Sequence, residues 1–168
     1  DFAGGITNRF SYKGIDLSFF VFGRFGSMIR SAFHTGGFNA LAGRYNNLDV
    51  DYWTPDNPTN DYPRPNVNQE FPKYSSSLQY FDGTFLKIRN INLGYTMPKS
   101  IVESLKMESL RVYTSIQQPF IFSEYRSRHA GIDPETFIDG EQGVEGGVIN
   151  SNIAPAVTQF TFGINAKF

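Results

Sequence analysis

The side chains of this sequence with the capacity for chemistry are two histidines, three small groups of carboxylates and four loop aromatics. His34 and His129 lie far apart in the chain. Neither has an evident nucleophile or ligand partner nearby, so both read as ordinary loop residues and no catalytic triad is visible. Asp49 with Asp51, Asp133 with Glu135, and Asp139, Glu141 and Glu145 place oxygen donors at alternate positions, a pattern that could hold calcium. The EF-hand spacing is missing, so the expectation is solvated loop charge and no metal site. Tyr45, Tyr52, Trp53 and Tyr62 offer flat faces that could stack on sugar rings, pack beneath a covering partner or fill the loop itself. The Gly-rich stretch from Gly140 to Gly147 lacks the preceding strand and following helix of a phosphate cradle, and it reads as a flexible loop with no cofactor. Asn57-Pro58-Thr59 imitates a glycosylation sequon, but the middle proline blocks it.

The bulk composition narrows the setting in which these residues act. With 168 residues the chain sits within the range of one domain. Lys and Arg number 15 against 16 Asp and Glu, for a net charge of -1, which excludes the basic footprint of a nucleic-acid binder. The absence of cysteine excludes disulfide scaffolds, thiolate metal sites and cysteine nucleophiles, and fits an extracytoplasmic protein without covalent staples. Phe19-Phe20-Val21-Phe22 is the longest apolar run, far short of the roughly 20 residues a spanning helix needs. Yet 17 Phe, 9 Tyr and one Trp make the chain 16% aromatic beside 18% charged residues, while mean hydropathy stays negative. Two architectures reconcile these figures. One is a compact all-β domain with aromatic loops, and the other is a membrane barrel whose strands face lipid on one side and water on the other.

Alternation decides between helix and strand. At the end of the chain Phe160, Phe162, Ile164, Ala166 and Phe168 take every second position, with Thr161, Gly163, Asn165 and Lys167 between them. Leu110, Val112, Thr114 and Ile116 alternate with Arg111, Tyr113, Ser115 and Gln117 until Pro119, which is expected to stop the ladder. Leu86 and Ile88 share one parity while Ile91, Leu93 and Tyr95 share the other, so a one-residue bulge is expected at Arg89-Asn90. Ile15, Leu17, Phe19 and Val21 alternate with Asp16, Ser18, Phe20 and Phe22, and Lys13-Gly14 reads as a tight hairpin turn from the preceding run. Five strands result, about 5–12, 15–26, 83–96, 109–118 and 157–168.

The connections are lopsided. Short links at 13–14 and 97–108 alternate with long segments, 27–82 and 119–156. Pro98 followed by Ser100 as cap and Glu103 predicts a short helix in the second short link. Outer-membrane barrels put short turns on the periplasmic side and long loops outside, whereas a soluble sandwich turns at short, even intervals. Five strands cannot close, and open edges in lipid leave backbone groups unpaired at several kcal/mol each. With Asp1-Phe2-Ala3 at its start in place of an initiator Met, the chain is expected to be processed or cut from something longer and to form the end of a larger barrel.

Several segments then bear a specific likeness. Gly5 to Ser18 (GITNRFSYKGIDLS), Tyr52 to Pro65 (YWTPDNPTNDYPRP), Asp82 to Tyr95 (DGTFLKIRNINLGY) and Thr158 to Phe168 (TQFTFGINAKF) resemble, in order, the C-terminal part of SusC/RagA-type TonB-dependent transporters. One departure is Gln118-Pro119, where that family commonly carries Asn-Leu. The resemblance implies a transmembrane antiparallel β-barrel of about 22 strands, of which residues 1–168 would supply roughly the last five. It further implies a plug domain, energy from the TonB complex, a SusD-like surface lipoprotein as lid, and import of oligosaccharides or peptides across the outer membrane of Bacteroidetes. It implies no enzyme activity and no cofactor. On this reading 27–82 and 119–156 are extracellular loops, Tyr45, Tyr52, Trp53 and Tyr62 meet substrate or lid, and the barrel-assembly machinery reads Phe160, Phe162, Ile164 and the terminal Phe168. The rival expectation is a secreted β-sandwich carbohydrate-binding module that uses the same loop aromatics.

Overall fold

The computed structural model describes residues 1–31, 34, 49–66, 68, 75–135, 148–149 and 156–168. The structure is dominated by strand: β1 (Phe2–Tyr12), β2 (Ile15–Phe25), β3 (Met28–Ser31), β4 (Tyr80–Asp82), β5 (Phe85–Thr96), β6 (Ser109–Ser123), β7 (Val148–Ile149) and β8 (Gln159–Lys167). Two short helices, α1 (Lys99–Ser104) and α2 (Glu124–Arg128), interrupt them. No described helix is long and apolar enough to cross a membrane. The chain divides into two compact units. One comprises Ala3–Gly23, Leu86–Ile121 and Val157–Phe168; the other comprises Asp1–Phe2, Arg24–Phe85 and Phe122–Ala156.

The first unit is built on a five-stranded sheet of order β1-β2-β5-β6-β8, which leaves β1 and β8 at its edges. β1 and β2 join through Lys13-Gly14, both at positive φ (46° and 84°), the conformation a two-residue hairpin turn demands. β6 and β8 pair antiparallel from Ser109↔Lys167 to Gln117↔Gln159. The short links share one rim: the Thr96 amide donates to the Gly14 carbonyl at 2.8 Å, and the Glu108 amide donates to the Lys167 carbonyl at 2.7 Å.

The sheet's two faces differ as the alternation requires. On the polar face, Arg111 of β6 reaches across β5 to Asp16 of β2, donating at 2.7 and 3.2 Å. A Cβ at Gly94 would run into both side chains, so glycine is what lets the ion pair cross that strand. Beside it, Ser115 donates to Asn92 Oδ1 at 2.7 Å, and Asn92 Nδ2 donates to Ser18 Oγ at 3.2 Å. Arg89 stacks over Phe22 at 4.1 Å from the ring centre, while Asn90 accepts from Asn92. Two consecutive residues therefore engage one face, the geometry of a bulge. The other parity carries exposed Phe10, Phe160, Phe162 and Ile164.

β6 runs on to Ser123, beyond the stop expected at Pro119. Proline does end the ladder with β8, whose last register pair is Gln117↔Gln159, and Gln118 takes φ 50°. The strand itself continues, because a proline costs a sheet only the hydrogen bond its missing N–H would make. α1 also differs from expectation. Its cap position is Pro98 with no side-chain hydrogen bond, and Ser100 lies inside the helix. Its C-terminus closes by Lys106 N–H to Glu103 O at 3.1 Å and Met107 N–H to Val102 O at 3.0 Å, a Schellman pair with Lys106 at φ 55°.

The second unit shows that the expected loop segments contain a fold of their own. β3 pairs antiparallel with β4 and parallel with β7, giving a three-stranded sheet of order β4-β3-β7. Ile29, Val50, Tyr62, Phe81 and Tyr125 form its core, with Leu78, Ala130 and Ile132 packed against it.

Candidate functional site

The connection unit holds the loop aromatics, and the structure separates them by role. Tyr62 is 4% exposed and belongs to the core. Its hydroxyl hydrogen-bonds with His129 Nδ1 at 3.1 Å, and burial pushes its pKa well above the ordinary tyrosine value. Tyr52 and Trp53 are 41% and 37% exposed, and they are held by the same residue. Tyr52 bridges to Tyr62 in parallel register, and the Trp53 amide donates to the Tyr62 carbonyl at 2.9 Å. The following turn is pinned by reciprocal Thr54 and Asn57 backbone bonds at 3.1 Å, and Asn57 Nδ2 donates to Asp51 at 2.7 Å. Buried Tyr62 thus anchors a rigid backbone that presents Tyr52 and Trp53. Tyr45 lies outside the described residues.

A cleft of about 320 Å³ opens in the same unit, lined among others by Asn60, Asp61, Tyr80, Asp82 and Glu124 and floored by Tyr62, Phe81, Tyr125 and His129. Its acidic wall is partly neutralised. Arg128 donates to Glu124 at 2.7 Å and to Asp61 at 3.2 Å. Such a surface offers several hydrogen-bond acceptors beside an aromatic floor, suited to a hydroxyl- or amide-rich ligand.

Sequence reasoning missed what lies beneath this cleft. His34 and His129 meet: His34 Nε2 donates to the His129 carbonyl at 2.6 Å. His34 Nδ1 faces Ser31 Oγ at 2.7 Å, and Tyr125 O–H donates to the same oxygen at 2.8 Å. Ser31 is 0% exposed and its oxygen is already engaged by a phenol, so this serine and histidine do not form a usable nucleophile and base. The Ser31-x-x-His34 spacing was the one signal available, but the partners on α2 come from a distant part of the chain. Of the carboxylate pairs, Asp51 accepts from Asn57 Nδ2 at 2.7 Å and Asp133 accepts from the Glu135 amide at 3.0 Å. Among the described residues no group of three or more His, Asp or Glu is arranged for a metal ion. Asp139, Glu141, Glu145 and the stretch Gly140 to Gly147 lie outside the described residues.

In the sheet unit, Phe160, Phe162 and Ile164 project from edge strand β8, and Phe162 is 79% exposed. Phe168 follows that strand and is likewise exposed. Tyr113 lies directly opposite Gly163, where a Cβ would collide with its ring.

The sheet unit has one apolar exposed face and one polar hydrogen-bonded face, a division also found in membrane β-barrels. No family model matches the chain. TonB-dependent receptor P3 of Formosa agariphila is 29% identical over 100% of this chain and 16% of its own length. TonB-dependent receptor P26 of the same organism is 28% identical, with 100% of this chain and 17% of its own length covered. The TonB-dependent receptor SusC of Bacteroides thetaiotaomicron is 32% identical over 56% of this chain and 8% of its own. A RagAB peptide importer solved in a closed-closed state shares the fold, with a TM-score of 0.69 and 23% identity over 99% of this chain and 17% of that one. The open-open state gives a TM-score of 0.66, at 22% identity over the same shares of the two chains. The chain is thus similar along its whole length to TonB-dependent receptors, and over about half of it to SusC. It spans about one sixth of the length of the curated relatives it matches.

Proposed function

We propose that this chain supplies part of the barrel wall, at its C-terminal end, in a SusC-like TonB-dependent transporter of the bacterial outer membrane. The carrying observation is the chemistry of the five-stranded sheet. Phe10, Phe160, Phe162 and Ile164 stand exposed on one parity, while Asp16, Ser18, Asn92, Arg111 and Ser115 are cross-linked on the other. Hydrocarbon wets the first face and lumen water the second. The unpaired edges of β1 and β8 belong against the remaining strands of a barrel of about 22, since open edges in lipid are prohibitive. The short links then face the periplasm, and the residues of 27–82 and 119–156 face outward. The outward row Phe160, Phe162 and Ile164, ending at Phe168, is the segment offered to the barrel-assembly machinery.

The imported substrate is an oligosaccharide or peptide. Exposed Tyr52 and Trp53, on the frame anchored by Tyr62, serve as its contact or as the seat of a SusD-like lipoprotein lid. A plug domain and the TonB complex complete the machine. The test compares arginine at lipid-facing Leu17 or Phe162 with the mild Ser18→Gln in the whole transporter. A charge at the bilayer midplane costs about 2–4 kcal/mol, so Leu17→Arg and Phe162→Arg lose outer-membrane yield while Ser18→Gln retains it. Equal yields at both parities contradict the reading.

A further inference from the structure

We propose that Ser31, His34, Tyr125 and His129 form a clasp between the two long connections, closed while both histidines are neutral and opened when they take up protons. Around His34 the hydrogen-bond directions are fixed by chemistry. A carbonyl only accepts, so His34 Nε2 carries the hydrogen that goes to His129 O. In a neutral ring Nδ1 is then an acceptor, so Ser31 O–H donates to it, which leaves Ser31 Oγ to accept from Tyr125. On the other side, the Tyr62 hydroxyl lies 3.1 Å from His129 Nδ1, and it donates there when that nitrogen carries no hydrogen. Every donor along this line has one acceptor. A proton on His34 Nδ1 turns that acceptor into a donor, and the Ser31 O–H, in a residue with no exposure, loses the acceptor it had while its oxygen goes on accepting from Tyr125. A proton on His129 Nδ1 likewise takes away the acceptor of the Tyr62 hydroxyl, which must then turn its hydrogen elsewhere.

The surroundings favour the neutral form. His34 is 1% exposed, with Phe81 stacked at 4.5 Å and Tyr125 at 5.7 Å between ring centres. Burial lowers the His34 pKa, and burial together with Arg128 lowers that of His129, against opposing pulls from Asp61 and Glu124. Tyr125 and Tyr62 have raised pKa values and remain donors throughout. From β3, Arg30 turns to Gln79 at 2.8 Å; on β4, Tyr80 and Asp82 flank Phe81 and line the cleft; beyond α2, Asp133 holds the Glu135 amide. Because the folded histidines bind protons less readily than unfolded ones, the clasp's stability is complete above about pH 6.5 and falls as pH drops below it. The floor of the cleft, which includes Tyr62, Tyr125 and His129, loosens with it. The inference stands on the connection unit alone and does not depend on what is transported.

The test is hydrogen exchange of the whole protein near pH 7.5 and pH 5.5, with amide rates corrected for their intrinsic pH dependence. In the native protein, exchange across residues 29–31 and 124–131 rises by up to about tenfold at the lower pH, the factor that one pH unit below the ordinary imidazole pKa allows per histidine. Glutamine can donate and accept as neutral histidine does but takes no proton, so the double variant His34→Gln with His129→Gln stays protected at both values. Tyr125→Phe, which removes one bond and no titrating group, raises exchange at both values and keeps the pH response. A flat native profile, a persisting response in the double glutamine variant, or unchanged protection in Tyr125→Phe overturns the proposal.

Discussion

Tyr62 shows how a side chain selected for one purpose turns out to serve another. Its position in a Pro- and Asn-rich loop suggested a surface platform, yet its ring lies in the core and its backbone holds Trp53. Sequence alone separates exposed from buried aromatics poorly in such segments, because burial there depends on partners such as Phe81 and Tyr125 that lie far along the chain. The same distance hid the meeting of His34 with His129. Tyr62→Phe removes the hydroxyl bonded to His129 Nδ1 while keeping the ring, and a lost buried hydrogen bond costs about 1–3 kcal/mol. Exchange protection of the Trp53 amide, which rests on the Tyr62 carbonyl, is expected to change little, while that around His129 falls. Equal loss at both places would mean that the ring's packing, and not its hydroxyl, was disturbed.

Among the elements, strands were legible where side chains alternate and opaque where they do not. Phe160, Phe162 and Ile164 announce β8 because a strand's period of two is written into its residue types. β3, β4 and β7 announce nothing: they are two to four residues long and are held by pairing with one another. The continuation of β6 past Pro119 was hidden for a different reason, since Gln118 absorbs the break by a positive φ that proline's neighbour does not advertise. Register between β6 and β8 is marked by a size rule, large Tyr113 opposite absent side chain Gly163. Gly163→Val puts a branched side chain into the Tyr113 ring. Overpacking of this kind costs typically about 1–3 kcal/mol, and assembly of the terminal strand is expected to slow, read as accumulation of the unfolded form in a heat-modifiability gel. Pairing Gly163→Val with Tyr113→Ala restores assembly if the clash is the cause; failure of that rescue would place the cause elsewhere.

For the whole molecule, the sheet's two chemistries carry the functional reading. Apolar exposure on a soluble protein is a liability, and on a barrel wall it is the solvent match. The similarity to TonB-dependent receptors, SusC among them, agrees with that proposal. The resemblance was legible in four stretches of sequence, whereas the cleft and the clasp appear only once distant segments are folded together. Because the chain contains no cysteine, single cysteines placed along β8 report their surroundings cleanly in a transporter carrying no other thiol. The decisive measurement is accessibility of cysteines at 160, 161, 162, 164 and 165 in the assembled outer membrane. Positions 160, 162 and 164 are expected to be reached by a membrane-soluble quencher and to resist a water-soluble thiol reagent, with 161 and 165 reversed. Uniform labelling by the water-soluble reagent at all five positions would contradict a wall with lipid on one side and water on the other.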